Sequence, residues 1–281
     1  MLRLCTKKKI LIVGPIEEIN ADFEYACTSL EDVERLMLTG EQIRIHFKIN
    51  TGMNRYGFTN IKEFCRALKL IKKSKLIVEG IFTHFATTDD MVDVQMRRFI
   101  KFVQVCKRCK FNPIIHVDNS SVNLYKNHDL DMVRIGFNLY NRDDGVFSSV
   151  VRIKSKVVNV NTVKRGELVG YDRRCVVSKK KRGAVIPIGY ADGFDIRYIG
   201  MNLKVDGVNC EVLNVCMDCF MLDVTNTNIK KGDDINILDN INSLYLYAVH
   251  AGISEYQVMT NFSNMRADYL VAISQSKYEQ Q

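Results

Sequence analysis

The chain has 281 residues, 47% of them hydrophobic, with nine cysteines and a formal net charge of +8, enough for one large or two ordinary globular domains. No apolar run approaches the roughly 20 residues of a membrane span, and the basic start through Lys9 leads into too few apolar residues for a signal peptide, which excludes a membrane protein. An odd number of scattered cysteines fits a reducing compartment better than a disulfide framework, so the expected setting is cytoplasmic. The Lys/Arg clusters, such as Lys7 to Lys9 and Lys179 to Arg182, carry no interleaved aromatics and read as solvated surface, not as a nucleic-acid interface.

In chain order, residues 10–13 and 22–27 read as short buried strands, and Ser29-Leu30-Glu31-Asp32 is a capping box that opens a helix to about residue 38. Strand 43–49, helix 60–73 and strand 76–85 follow. Thr88-Asp89 caps a long helix to about residue 109, and strands 114–117 and 132–140 complete the series. Six strands alternating with helices predict an α/β fold with a parallel sheet. From residue 150 the apolar period becomes two, at 150–163, 184–188, 203–205, 211–215, 220–224 and 235–238, with turns at Lys164 to Glu167 and Asp206-Gly207. That is the pattern of an antiparallel β domain. A single helix over 243–261 follows it. The polar loop 141–145 marks the boundary, giving domains 1–144 and 145–281.

The C-terminal edge of a parallel barrel carries its chemistry. Strand 43–49 delivers Lys48 there, and the Asn50-Thr51-Gly52 turn leads on to Arg55. After the strand portion 76–82 come Thr83 and His84, after 114–117 come Asp118 to Ser121, and within 132–140 lie Arg134 and Gly136. Asn and Ser donors, with backbone N–H groups near Gly136 and at a helix starting near Ser120, suit a phosphate. The cations suit a phosphorylated, electron-poor cofactor. His46 reads as structural, and His116, His128 and His250 show no partner pattern. Cys106 to Cys109 and Cys216 to Cys219 look like halves of a zinc site, but their separation and the helical setting of the first argue against a metal.

Six segments, HFKINTGMNRYGF, IFTHFATTDD, HVDNSSVNLY, VRIGFNLYN, IPIGYADGF and VCMDCFMLDVT, occur in the order and at the spacing of the bacterial alanine racemases, and the chain resembles that family from about residue 10 to about residue 266. The resemblance implies a TIM-type β/α barrel followed by an antiparallel β domain, pyridoxal 5'-phosphate (PLP) as cofactor, and interconversion of L- and D-alanine for peptidoglycan precursors. It implies a homodimer with sites at the subunit interface.

By motif, Lys48 resembles a barrel lysine that is often carbamylated and that orients Arg55. Arg55 resembles the arginine near the cofactor's phenolic oxygen and the substrate carboxylate. His84 looks like a histidine hydrogen-bonded to the arginine matched by Arg134, which lies on the pyridine nitrogen. Ser120, Gly136 and Phe137 match most of the phosphate-binding set. Tyr171 looks like the general base on one substrate face, and Met217 and Asp218 like a pair donated by the partner subunit next to the substrate carboxylate. The implied catalytic residues are therefore Tyr171, His84 and Arg134. Racemisation needs a second base on the opposite face, and a phenol serves as a base only when positive neighbours favour its anion.

Departures accompany the match. The family's second base is also the lysine that bonds PLP, and it ends the first barrel strand within a motif like Val-Lys-Ala-Asn-Ala-Tyr-Gly-His-Gly. Nothing here resembles that motif, and the pattern is entered at what corresponds to the third strand, with Lys7, Lys8 and Lys9 at the wrong end of it. The expectation is an incomplete barrel: a truncated racemase, or one half of a split enzyme completed by another chain, unable on its own to bond PLP through that lysine. Asn141 stands where the family usually has Gly, Cys219 where Gln is common, and Asn264 where it has a phosphate-binding Tyr. A non-catalytic PLP- or phosphate-binding relative is the alternative.

Overall fold

The computed structural model describes residues 8–86, 90–117, 130–140, 151–171, 175–240 and 242–262. Two compact units divide the chain, 1–138 and 139–281. The loop 141–145, expected to separate the domains, lies outside the described residues.

The first unit is a five-stranded parallel sheet in sequential order: β1 (Leu11–Ile12), β2 (Glu24–Cys27), β3 (Arg44–Lys48), β4 (Ile77–Phe82) and β5 (Ile114–His116). Helices α1 (Leu30–Leu38), α2 (Ile61–Ile71) and α3 (Met91–Arg108) connect its strands. The start of α1 is set by its N-cap Ser29, whose Oγ accepts from Asp32 N at 3.2 Å; the reciprocal half of the expected capping box is displaced by one residue, the Asp32 carboxylate accepting from Thr28 N at 2.7 Å and not from Ser29 N. Asn60 caps α2 by accepting from Lys62 N at 2.7 Å. The buried residues of α2, Phe64, Ala67, Leu68 and Ile71, recur at helical spacing and form its core-facing stripe. Phe47, Phe58, Phe64 and Phe102 meet edge to face, with Phe47 and Phe64 4.8 Å apart and Phe64 and Phe102 5.2 Å apart, and anchor the core between sheet and helices.

One expectation is corrected in this unit. Residues 132–140 do not form a sixth strand: a single parallel bridge joins Met132 to His116, and Phe137–Leu139 is a 3-10 turn. Val133, Ile135, Phe137 and Leu139 do alternate with polar or small residues, but Val133, Ile135 and Leu139 are exposed, so the alternation buries no face that would hold a ladder. Helix α3 begins at Met91 after Asp90, whose side chain makes no capping bond. Thr88 and Asp89, expected to cap it, lie outside the described residues.

The second unit is antiparallel. Strands β7 (Asn159–Val163), β8 (Lys181–Ile186), β11 (Phe220–Asp223), β10 (Val208–Val215) and β9 (Asn202–Val205) form one sheet in that order, and β12 (Asp234–Leu238) pairs with β6 (Ile153–Lys156) in another. The segment 150–163 is thus two strands in two sheets, not one. Asp206 and Gly207 both take positive φ, 49° and 81°, and make the tight β9–β10 hairpin. The expected single helix over 243–261 is also two, α4 (Leu244–Ala251) and α5 (Glu255–Phe262), because Gly252 adopts a left-handed φ of 65° and ends the first. Phe194, Tyr198, Phe220, Tyr247 and Phe262 pack as one aromatic cluster, with Phe194 and Phe220 stacked 4.1 Å apart. No helix among the described residues is long and apolar enough to cross a membrane.

Candidate active site

Strand alternation sorts the parallel sheet into two faces. On β3, Ile45 and Phe47 join the helix-facing core, while His46 and Lys48 point to the opposite face. Register places Gly80 beside His46, Phe82 beside Lys48, and His116 beside Phe82. Interiors of parallel barrels are ordinarily filled by branched apolar residues. Here Glu24, His46, Lys48 and His116 are all buried on or beside that face.

The loop after β3 is folded back by two backbone bonds, Phe58 N to Lys48 O at 2.9 Å and Asn50 N to Phe58 O at 3.0 Å. Gly57 makes this possible: its φ is 121°, and a Cβ there would lie 2.7 Å from both Asn50 N and Lys48 O. Asn50 Oδ1 accepts from Gly52 N and Asn54 N, closing the turn that presents Arg55. Thr83 Oγ1 donates to Ile49 O at 2.7 Å, tying the end of β4 to the end of β3.

Lys48, Arg55 and His84 line one small pocket with Tyr56 and Met53. Lys48 Nζ lies 5.0 Å from the Tyr56 ring centroid and 5.8 Å from that of Phe82. Burial, then the Arg55 and Arg134 charges, lower the Lys48 pKa. Burial, with Arg134, Arg55 and Lys48 adding to it, pulls His84 down to about 4, so its imidazole is neutral at pH 7.

Arg134 was expected to bond His84. It bonds His116 instead: Nη1 lies 2.9 Å from His116 Nδ1, and Nη2 donates to the carbonyls of Thr83 at 2.7 Å and Val117 at 2.6 Å. His84 emerges from β4 one residue beyond Thr83, whereas His116, as the last residue of β5, faces the same side as Arg134 and takes the bond. His116 therefore has a partner, which its surrounding sequence did not show. Its ring stacks on Phe82 at 4.8 Å and 13°, and the Arg134 guanidinium lies 4.9 Å from the Phe82 centroid. Burial, then the Arg134 charge, pushes His116 down to about 2. Of the expected phosphate group, Gly136 and Phe137 adjoin Arg134 on the turn after the bridge, and Ser120 lies outside the described residues, as do Asn141 and Asn264.

In the second unit, Tyr171 is 74% exposed. Buried Asn214 holds the turn beneath it, donating from Nδ2 to Val169 O at 2.6 Å and to Tyr171 O at 3.3 Å. Gly170 has φ 69°, and a Cβ on it would meet Asn214 Nδ2 at 2.5 Å. Met217 and Asp218 occupy the tip of the turn closed by Cys216 N to Cys219 O at 2.7 Å, and Met217 is 60% exposed. Tyr190 N and Ala191 N donate to Cys216 O and Met217 O, each at 3.0 Å, bracing that turn from the 189–192 segment.

This arrangement, a parallel β/α sheet with cations and neutral imidazoles at its strand ends and an antiparallel unit presenting a tyrosine, defines the class of protein to which comparison then points. Residues 3–143 match the family described as alanine racemase, N-terminal domain, and residues 150–269 match alanine racemase, C-terminal domain. The chain is 31% identical to an alanine racemase of Staphylococcus epidermidis over 78% of its own length and 61% of that protein's. It is 30% identical to the Aquifex pyrophilus alanine racemase over 96% of its length and 79% of that protein's. The crystal structure of alanine racemase from Bacillus anthracis with bound L-Ala-P superposes with a TM-score of 0.84 at 25% identity, covering 93% of this chain and 75% of that one. The chain belongs to the alanine racemase family. It spans less than two thirds of the length of several of these relatives, 61% for Staphylococcus epidermidis and 66% for Staphylococcus saprophyticus.

Proposed function

We propose that this chain holds PLP and alanine in an alanine racemase, an isomerase that interconverts L- and D-alanine for peptidoglycan precursor supply in the cytoplasm. The observation that carries the reading is that Lys48, Arg55 and His84 line one small pocket at the sheet's C-terminal edge, where burial first and then the Arg55 and Arg134 charges lower the Lys48 pKa, and burial first and then these cations lower that of His84. Cations gathered at one edge complement an anion, and a phosphorylated, electron-poor cofactor is such an anion.

PLP, when bound, draws electrons from the amino acid's α-carbon and so acidifies its α-proton. Arg134 is fixed by three acceptors and stays charged, so it can donate to the pyridine nitrogen without surrendering a proton to it, which restrains the electron withdrawal and favours proton return over side reactions. Ser120, Gly136 and Phe137 serve the phosphate, and Arg55 serves the cofactor's phenolic oxygen and the substrate carboxylate. Lys48, with its amine biased toward the neutral, nucleophilic form, suits carbamylation: Nζ bonds the carbon of CO2 and releases a proton to solvent. Tyr171 removes or returns the α-proton on one face. Met217 and Asp218 approach the substrate carboxylate from a second copy of the chain in a homodimer, and their exposed turn supports that assignment.

The test is a PLP titration of the 281-residue chain followed by absorbance, with Arg134→Leu and Arg55→Ala beside it, and α-deuterium exchange from each alanine enantiomer. The reading expects binding weakened about tenfold or more in both variants, and exchange from one enantiomer dependent on Tyr171 once any strands the chain lacks are supplied. PLP binding with no exchange from either enantiomer in that completed form favours a non-catalytic binding relative. No PLP binding in the unsubstituted chain sinks both.

A further inference from the structure

Behind Arg134 a line of buried side chains runs to the opposite end of the sheet. His116 Nδ1 lies 2.9 Å from Arg134 Nη1, His116 Nε2 lies 2.9 Å from His46 Nδ1, and His46 Nε2 lies 3.0 Å from Glu24 Oε2. The two rings are 0% and 2% exposed and Glu24 is 7% exposed. The line has one self-consistent proton assignment. A guanidinium only donates, so His116 Nδ1 accepts and is bare. Neutral His116 then carries its proton on Nε2 and donates to His46 Nδ1. His46 in turn carries its proton on Nε2 and donates to the Glu24 carboxylate.

We propose that Glu24 is a positioning residue for Arg134, acting through two imidazoles: by accepting from His46 it selects the tautomer of both rings and so keeps His116 Nδ1 available to the guanidinium. The reverse tautomer pair would place the His116 Nδ1–H against an Arg134 N–H, donor facing donor, and would cost that bond. Without an acceptor at position 24, the forward pair leaves the buried His46 Nε2–H unsatisfied, and the preference between the pairs narrows. The rest of the surroundings are built for this line. A Cβ on Gly80 would stand 2.0 Å from His46 Nδ1, so glycine at that point makes room for the ring. Phe82 stacks on His116, holding its plane. On the far side Lys9 Nζ stands 3.5 Å from Glu24 Oε1 and also pairs with Glu79, which faces Arg44, so the carboxylate end of the line is held by the charges around it.

The consequence for a bound cofactor rests on the reading of Arg134 given above; the tautomers themselves do not. They are read by long-range proton–nitrogen NMR on the chain labelled with 15N-histidine, in the absence of PLP. Both His46 and His116 are expected as neutral rings protonated on Nε2. In Glu24→Leu both rings should shift together toward the Nδ1–H form, and the affinity for PLP should fall about tenfold, the loss of one hydrogen bond to a charged group. Glu24→Gln, whose amide oxygen still accepts, should restore both tautomers and affinity, which distinguishes acceptance from charge. The proposal is overturned by a proton on His116 Nδ1 in the unsubstituted chain, a measurement that needs no variant. It is equally overturned if Glu24→Leu moves His46 and leaves His116 unchanged. If the tautomers respond as expected while the unsubstituted chain does not bind PLP, the relay stands and the cofactor reading falls.

Discussion

In the parallel unit the groups nearest the sheet are buried or half-buried and set by side-chain contacts: Lys48 and His116 are 6% and 0% exposed, and half-buried Arg134 is gripped by a ring nitrogen and two carbonyls, while Arg55 on its loop is exposed. In the antiparallel unit Tyr171 and Met217 are 74% and 60% exposed, and what is fixed is the backbone beneath them, by Asn214 and by the turn at Cys216 to Cys219. The difference separates two kinds of preorganisation. Buried polar groups must be fully satisfied, so the first unit orients its groups through side-chain networks. An exposed phenol needs no partner, so the second unit presents its groups through turn geometry alone. The two units should therefore respond to different insults.

Acid distinguishes them most strongly. His116 and His84 are held down to about 2 and about 4, while unfolding returns each to about 6.5. A histidine with a depressed folded pKa contributes its stability above the unfolded pKa and loses it as pH falls, because the unfolded chain takes up the proton first. Between pH 7 and pH 5 each should cost the parallel unit about 2 kcal/mol, about 4 kcal/mol for the two. Hydrogen exchange measured by mass spectrometry at the two pH values should show peptides of β3, β4 and β5 losing protection while those of β8, β10 and β11 hold theirs. Equal loss in both units would dissolve the distinction.

Backbone substitution tests the same contrast at glycines. Gly57→Ala puts a methyl against backbone atoms 2.7 Å away at a φ of 121° and should destabilise the parallel unit by about 3 kcal/mol. Gly207→Ala, at φ 81° with open space around it, should cost the antiparallel unit only about 1 kcal/mol. Urea midpoints of the two variants should rank in that order. Lys48→Met should then go the other way. It removes a buried cation with no carboxylate partner among the described residues and should stabilise by about 1 kcal/mol while weakening PLP binding. A loss of stability would show that Lys48 is there for packing and not for a ligand.

How much of this was legible in the sequence follows the same division. Elements with local signatures were: the Ser29 helix cap and the Asn50-Thr51-Gly52 turn are written in adjacent residues, and the structure forms both. The bent pieces were not. Segment 150–163 reads as one run because its apolar period continues through the corner where it changes sheets, and Gly252 breaks a helix whose apolar pattern carries on past it. Among the candidate groups, Lys48 was picked out by its place at a strand end and Arg134 by a stretch read as a strand that the structure does not form. His116 was missed because its partners, His46 and Arg134, are 70 and 18 residues away. One signal was available: His46 is two residues from Lys48, so a strand must put both on one face, and reading His46 as merely structural overlooked that.

The smallest expected change in stability belongs to Tyr171, and it carries the most about function. Its side chain is largely in solvent and its backbone contacts survive substitution, so Tyr171→Phe should alter the unfolding free energy by less than about 0.5 kcal/mol. If the phenol is the base for one face of the substrate, the same change should abolish α-deuterium exchange from one alanine enantiomer and leave exchange from the other much less affected, in a preparation completed with whatever strands the chain lacks, because the two faces are served by different groups. The pairing of the two results matters. A phenol that acted by packing would change stability and slow both enantiomers together. One that acts as a base separates the enantiomers while the fold stays as it was. Equal slowing of both under single-face conditions, with unchanged stability, would remove Tyr171 from the proton path and leave only the parallel unit's side of the site as assigned.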